Sequence, residues 1–376
     1  CACGRLPGLT FSTLADGCSK RWAGGDCCVG FDNWRGDGEP ARCLSFALQM
    51  ALTTGDLVSL AYSGQYSLAG VQQACESLLH GQALADGMEA AGLRSAVAAV
   101  AFEMALRRWL DEAQVSYQLP AYAPSTAGAQ RQLALGGRKC ELRPSLLTHA
   151  GGVQSVQADA GWLLGTSALV APAELAAQRL AEEDIFIFGC VTGSVAHSLR
   201  ETQRAVAQAQ PLCLVHIPPR PWQGSGSWRS LGQLVLKSAA KQPLQVELGG
   251  LDRAHQKLHC TLLLQPMQRT VVPADFYCLR YLCVADLPDG VLGVHSPALR
   301  QTPVITPRQW HNIWFYGLQV HLCGWLNKRD FRSRSVRLAA GTRVRQYVRT
   351  EQVLHALEMG QLRPLARLLE LVRAAA

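Results

Sequence analysis

The sequence predicts an α/β protein in which a mixed sheet is flanked by helices and followed by a β-rich C-terminal part. Helical and strand-like segments alternate between about residues 67 and 217, which is the order that builds such a sheet. Beyond residue 230 the apolar segments are short and strand-like. Hydrophobic residues make up 48% of the 376 residues and charged residues 17%, which excludes a disordered chain and supplies a sizeable core.

In the first half of the chain, apolar periodicity and turn residues predict the helices and strands. Apolar residues recur at helical spacing from about Ser67 to Glu112, with a second helix from about Gly92 to Ala113. Two strand-like segments, Gln132–Leu135 and Arg138–Leu142, meet at Gly136-Gly137, a dipeptide suited to a two-residue hairpin turn. The remaining predictions are a helix over 172–183, a buried strand after Asp184, a helix over about 195–209 and a strand over 212–217.

A linker is predicted over 218–229, where Pro, Gly, Ser and Trp are frequent. After the linker, short apolar segments predict strands over 231–236, 244–248, 258–264, 276–284, 291–295 and 313–322, and the last segment predicts a helix over 362–372. The sequence therefore divides into a poorly structured segment 1–49, an α/β domain 50–217 and a β-rich domain 230–376.

The segment 1–49 is set apart by its cysteines and its lack of periodicity. Six of the 14 cysteines fall there, among Gly, Arg and Asp residues that follow no helical or strand period. A zinc knuckle is one interpretation, but zinc ligands are usually paired as Cys-x2–4-Cys, and Cys1-x-Cys3 with Cys27-Cys28 does not match. The alternative is a segment without a folded role.

The charge balance allows an anionic partner. The net charge is +8, and only six of the 36 basic residues are Lys. An ordinary mildly basic enzyme is the alternative interpretation. No run approaches the ~18 uncharged apolar residues that a membrane span needs, and no signal peptide is recognised, so a cytoplasmic protein without a membrane partner is expected.

One group of polar residues could carry chemistry. Glu103 lies beside the apolar stripe of the second predicted helix. Glu141 and Arg143 share one face of the second hairpin strand, because side chains alternate along a strand. Gln132 begins the first hairpin strand, nine residues before Glu141. The sequence therefore predicts that these four side chains form one cluster.

An acid on a helix followed by a hairpin of the form Asp-x3–4-Gly-x-x-x-Glu-x-Lys resembles the PD-(D/E)xK nuclease superfamily, to which restriction endonucleases and Holliday-junction resolvases belong. The resemblance covers roughly residues 90–217. It implies a restriction-endonuclease-like fold, Mg²⁺ held by carboxylates, a Lys that orients the attacking water, and cleavage of DNA phosphodiester bonds.

Carried onto this chain, the resemblance assigns Glu103 to the helix acid and Glu141 to the second metal ligand. Gln132 takes the place of the metal-binding Asp, and Arg143 the place of the Lys. Gln offers only a neutral carbonyl oxygen to a cation, and Arg stays charged and cannot accept a proton. The resemblance therefore implies a DNA-binding protein whose Mg²⁺-dependent cleavage is impaired or lost.

A basic segment between residues 328 and 349 is the second candidate feature. It carries eight Lys and Arg residues against one acid, Asp330, with Phe331 and Tyr347 between them. Clustered basic residues neutralise phosphates, so the segment predicts a DNA-contacting surface. The candidate contacts are Arg332, Arg334, Arg337, Arg343 and Arg345. A solvated charged face is the alternative.

The candidate site residues also have structural interpretations. Glu103 precedes Arg107 by four residues, a spacing that forms a surface ion pair on a helix. Glu141 and Arg143 can be solvated residues of an edge strand. The second functional hypothesis is a non-catalytic interaction module that uses the β-rich part and the basic segment. Convergence of Glu103, Gln132 and Glu141 separates the two hypotheses, because a metal site requires it.

Overall fold

The fold was analysed in a computed structural model that describes most of the chain. The described residues are 51–60, 64–79, 90–119, 132–224, 228–299, 302–347 and 349–375. The predicted segment 1–49 and the cysteines in it lie outside these residues. Residues 50–376 form one compact unit.

The elements of this unit are named in chain order. The helices are α1 (Gly64–Leu79), α2 (Ala90–Glu112), α3 (Ala150–Ala158), α4 (Pro172–Ala176), α5 (Leu199–Ala207), α6 (Lys328–Arg334) and α7 (Leu365–Ala375). The strands are β1 (Val58–Leu60), β2 (Gln132–Leu135), β3 (Arg138–Leu147), β4 (Ser167–Val170), β5 (Ile185–Ser194), β6 (Leu214–His216), β7 (Val235–Ser238), β8 (Leu244–Leu251), β9 (Lys257–Leu264), β10 (Arg269–Val271), β11 (Cys278–Val284), β12 (Leu292–His295), β13 (Val304–Ile305), β14 (His311–Asn312), β15 (Tyr316–Asn327), β16 (Val336–Leu338) and β17 (Leu354–Glu358).

A mixed sheet of five strands lies at the centre of the fold, in the order β1-β15-β5-β3-β2. β3 and β5 are parallel, and the other neighbouring pairs are antiparallel. β5 begins with the sequence Ile-Phe-Ile-Phe and is buried over almost its whole length, as expected of a strand that is covered on both faces. The α/β class expected from the sequence is confirmed.

Helices cover both faces of this sheet. On one face the apolar sides of α1, α2 and α7 form a core with Leu142 and Ile187 of the sheet. On the other face α3, α4 and α6 form a second core with Phe186 and Phe188. The ring of Phe331, from α6, stacks on Phe188 at 5.4 Å between centroids. Aromatic contacts of this kind fix the position of α6 against the sheet.

Two antiparallel sheets form the β-rich part. One has the order β14-β6-β11-β8-β9 and the other the order β10-β7-β12-β13. Side chains from both sheets meet in a third core. A smaller sheet, β16-β17-β4, joins a strand of the first half to two strands of the last part.

The predicted division between residues 217 and 230 does not separate two domains in this fold. β15 comes from the predicted C-terminal domain, yet it lies between β1 and β5 in the central sheet. Trp222, in the predicted linker, is 1% exposed and packs in the core of the β-rich part. The Pro- and Gly-rich composition of this segment therefore marks a turn that is anchored in the core.

Candidate functional site

The β2–β3 hairpin forms where the sequence predicts it. Gly136 and Gly137 have φ angles of +52° and +74°, which a two-residue hairpin turn requires and glycine adopts without strain. This turn sets the register, so Gln132 lies directly opposite Glu141. On the other side of β3, Glu141 is the neighbour of Phe186 in β5.

Glu141 lies at the centre of a buried ion-pair cluster. It is fully buried, and its Oε1 accepts a hydrogen bond from Gln132 Nε2 at 2.9 Å and forms an ion pair with Arg179 Nη2 at 2.8 Å. Its Oε2 accepts from Arg143 Nη2. Arg143 also binds Glu174, with Nη1 to Oε1 at 2.7 Å. The charges of two arginines and two glutamates thus balance, with Glu141 buried and Arg179 exposed.

These contacts do not fit the Mg²⁺ site that the resemblance implies. Both oxygens of Glu141 are engaged by donors, and two of these donors are guanidinium groups that would repel a cation. Gln132 donates to the carboxylate instead of offering an oxygen to a metal. Within the described ranges, no three His, Cys, Asp or Glu side chains are arranged to hold a metal ion.

Glu103 does not join this cluster. Its neighbour Phe102 packs with Leu142 in the core beneath α1 and α2, whereas Glu141 faces the opposite side of the sheet with Phe186. Glu103 forms the ion pair that its spacing to Arg107 allows, with 3.6 Å between Oε1 and Nη1. The structure therefore brings together Gln132, Glu141 and Arg143, and places Glu103 on the other face of the sheet.

The first half of the basic segment is held by partners within the fold. Lys328 is 3% exposed, and its Nζ donates to the carbonyl oxygens of Ala177 and Leu180 at 2.8 and 2.9 Å. The other contacts are Arg329 with Glu183, Arg332 with Glu182 and the Leu175 carbonyl, and Arg334 with the Gln361 carbonyl. Most of the positive charge of α6 therefore serves the packing of this helix.

The second half of the segment presents its arginines to solvent. Arg337, Arg343, Arg345 and Arg349 are all exposed. Arg345 lies over the ring of Trp162, with 4.7 Å between the guanidinium carbon and the ring centroid. Within the part of the chain that the structure describes, Arg337, Arg343 and Arg349 have no carboxylate partner.

Residues 339–347 and 349–350, here named the arginine loop, are fixed to the fold. The Gly341 N–H donates to the Thr350 carbonyl at 2.7 Å, and the Thr350 N–H donates to the Thr342 carbonyl at 2.8 Å. Gln346 is buried and makes two hydrogen bonds to the backbone of Ser167 in β4. The loop therefore holds its arginines on a defined surface.

A separate cavity of about 750 Å³ lies beside α1, α2 and the β8–β9–β11 face. Three thiols meet near it, namely Cys75, Cys213 and Cys283, and the sulfur atoms of Cys213 and Cys283 are 3.4 Å apart. In the same cavity the hydroxyl of Tyr281 donates to Glu247 Oε1 at 2.6 Å. The sequence indicates only separate buried cysteines, and no local spacing reveals this cluster because its members come from three distant elements.

The thiol cluster predicts that Cys283 is the most reactive of the cysteines the structure describes. Hydrogen bonding among the three thiols lowers the pKa of Cys283 while the pKa values of Cys75 and Cys213 rise, whereas burial raises the pKa of Cys260. Because the thiolate is the nucleophile, iodoacetamide at neutral pH should label Cys283 roughly tenfold faster than Cys260, a thiol that is also partly exposed. Peptide mass spectrometry measures both rates, and equal labelling would contradict the expected result.

Comparison with known proteins found no matching family model, no matching curated protein and no matching solved structure.

Proposed function

We propose that this protein binds DNA through phosphate contacts of the arginine loop and the adjoining strand β16, without Mg²⁺-dependent cleavage at Glu141. One observation carries the proposal. Arg337, Arg343 and Arg349 are exposed and lack carboxylate partners among the described residues, whereas Arg329 and Arg332 nearby in sequence are paired. Guanidinium groups with free donors are suited to phosphate oxygens.

The proposal includes a restriction-endonuclease-like sheet. A hairpin followed by a strand parallel to its second member, with helix α2 packed across the face, supports this assignment. The ion pairs of Glu141 give the hairpin carboxylate a structural role. Binding to the phosphate backbone needs neither a metal ion nor a proton acceptor, so the proposed function is compatible with the replacements at Gln132 and Arg143.

The test is a DNA-binding titration with a charge-matched control. The variant Arg337→Gln/Arg343→Gln removes two unpaired charges, and the control Arg329→Gln/Arg332→Gln removes two paired ones. Anisotropy of a labelled duplex is measured between about 50 and 200 mM salt. The first variant should reduce the slope of log affinity against log salt by about 0.9 for each phosphate that the protein no longer neutralises, and the control should not.

A chelator arm completes the experiment. Replacing Mg²⁺ by EDTA should not weaken binding, because no described carboxylate group is arranged to hold the ion and Mg²⁺ competes with the arginines for the phosphates. Equal salt slopes for the two variants would overturn the proposal. The same holds if the parent protein binds no DNA, and the interaction-module hypothesis then takes its place.

No helix within the described residues is long and apolar enough to cross a membrane.

A further inference from the structure

A second cavity, of about 480 Å³, lies between α2, the end of β3 and the arginine loop. Its walls include the side chains of Arg94, His197, Tyr347 and Arg349, together with apolar residues of α2 and β3. Two arginines line it against a single acid, Glu351. The cavity is considerably larger than a phosphate group, so it has room for an attached nucleoside.

Arg94 is the unusual residue of this cavity. It is 8% exposed, and its Nε donates to the Asn312 carbonyl at 2.9 Å. Its Nη1 donates to His197 Nδ1 at 2.7 Å. Both contacts are to neutral groups, and a buried guanidinium normally requires a negative charge in contact with it.

Glu201 acts on Arg94 through its charge and not through a direct contact. It forms a capping box with Ser198, the N-cap of α5, and its Oε2 accepts the backbone N–H groups of His197 and Ser198 at 2.7 and 3.0 Å. Burial lowers the pKa of Arg94, and the charge of Glu201 opposes this effect. Arg94 lines the cavity, and no carboxylate among the described residues contacts its guanidinium group, so a ligand in the cavity can supply this charge.

His197 supplies a second donor. An arginine can only donate, so the Nδ1 of His197 must accept, and the neutral ring carries its proton on Nε2. Burial, and then the charge of Arg94, lower the pKa of His197 and keep the ring neutral at pH 7. The ring therefore acts as a hydrogen-bond donor, and it offers no free nitrogen as a base.

Arg349 adds a third donor group from the arginine loop. It has no carboxylate partner among the residues described. Donors that approach from a helix, from the segment before α5 and from a loop suit a tetrahedral anion with several oxygens better than a planar carboxylate with two.

We propose that this cavity binds the phosphate group of a nucleotide, and specifically the 5′-terminal phosphate of a DNA strand lying on the arginine loop. The role of the DNA end rests on the proposed function, whereas the phosphate site itself does not. Arg94 and Arg349 hold the phosphate, and His197 donates from Nε2. The apolar wall of α2 and β3 lies against the attached nucleoside.

The experiment uses three probes on the whole protein: inorganic phosphate, a 5′-phosphorylated single strand, and the same strand with a 5′-hydroxyl. Calorimetry gives the affinity for phosphate, and anisotropy gives the affinity for each strand. The parent protein should bind the phosphorylated strand roughly tenfold more tightly, since each hydrogen bond to a charged group contributes that much or more. The variants Arg94→Lys and Arg349→Gln should each remove most of this preference.

Two comparisons keep the result decisive. Arg349 is exposed, so Arg349→Gln reports on the site even if Arg94→Lys impairs folding, which a melting curve shows. The charge-matched control Arg329→Gln/Arg332→Gln should keep both the phosphate affinity and the preference for the 5′-phosphate.

The outcomes separate the two proposals. Phosphate binding that depends on Arg94 and Arg349, without any DNA binding, supports the cavity and overturns the proposed function. DNA binding that depends on Arg337 and Arg343, without phosphate binding or 5′ preference, overturns the cavity. A preference that survives both Arg94→Lys and Arg349→Gln also overturns it.

Discussion

Replacing Glu141 by alanine is expected to lower the free energy of unfolding by about 1–3 kcal/mol, because the buried donors of Gln132 and Arg143 lose their acceptor. Glu141 is fully buried, accepts hydrogen bonds from Gln132 and Arg143, and forms an ion pair with Arg179. In the alanine variant, Arg143 keeps Glu174 as its partner. The largely buried side chain of Arg143 then contacts one carboxylate instead of two. The effect is therefore on stability.

Urea unfolding measures this change, with Glu103→Ala as the matched control. Glu103 forms a long i,i+4 pair with the half-exposed Arg107, so its removal should cost less than about 1 kcal/mol. An unfolding midpoint of Glu141→Ala equal to that of the parent would contradict the structural role of the cluster. It would also restore the metal-ligand interpretation of Glu141.

Acidification is expected to destabilise the protein by about 3 kcal/mol through His321 alone, between pH 6.5 and pH 4. His321 is 4% exposed on the central strand β15, and burial lowers its pKa to about 4. In this pH window the unfolded chain binds a proton that the folded chain does not. Stability from this residue is therefore complete above pH 6.5 and is lost as the pH falls.

The variant His321→Leu isolates this contribution. Its unfolding free energy should change less between pH 7 and pH 4 than that of the parent, by about 3 kcal/mol. Ser59, which contacts His321 Nδ1 at 2.9 Å, is exposed and can bond to water instead. Parallel pH profiles for parent and variant would show that His321 takes up its proton in the folded state.

Local signals in the sequence predicted the hairpin and most strands. Gly136-Gly137 specifies both a turn and a register, so the approach of Gln132 to Glu141 follows from spacing alone. The helix predicted over 172–183 ends at Ala176, because the backbone beyond it turns to meet Lys328, whose ammonium binds the carbonyls of Ala177 and Leu180. That contact joins residues about 150 positions apart, and periodicity carries no information on it.

In the candidate site, too, local sequence signals predict some features, and tertiary packing decides the others. Strand alternation places Glu141 and Arg143 on one face, and this prediction agrees with their ion pair. Which face of the sheet receives α2 depends on tertiary packing, so the position of Glu103 could not be read from its helix. Charge counts also treat Lys328 and Arg343 alike, although one is buried and the other exposed. The sequence shows that an arginine is present but not whether a glutamate neutralises it.

The position of β15 has a consequence for how the chain is made. β5 is buried between β3 and β15, but about 120 residues separate its end from the start of β15, and a ribosome adds them in roughly 6–24 s at ~5–20 residues per second. During this interval one edge of an apolar strand, Ile-Phe-Ile-Phe, has no partner. The nascent chain is therefore most exposed to aggregation, and most dependent on chaperones, in the seconds before β15 leaves the ribosome.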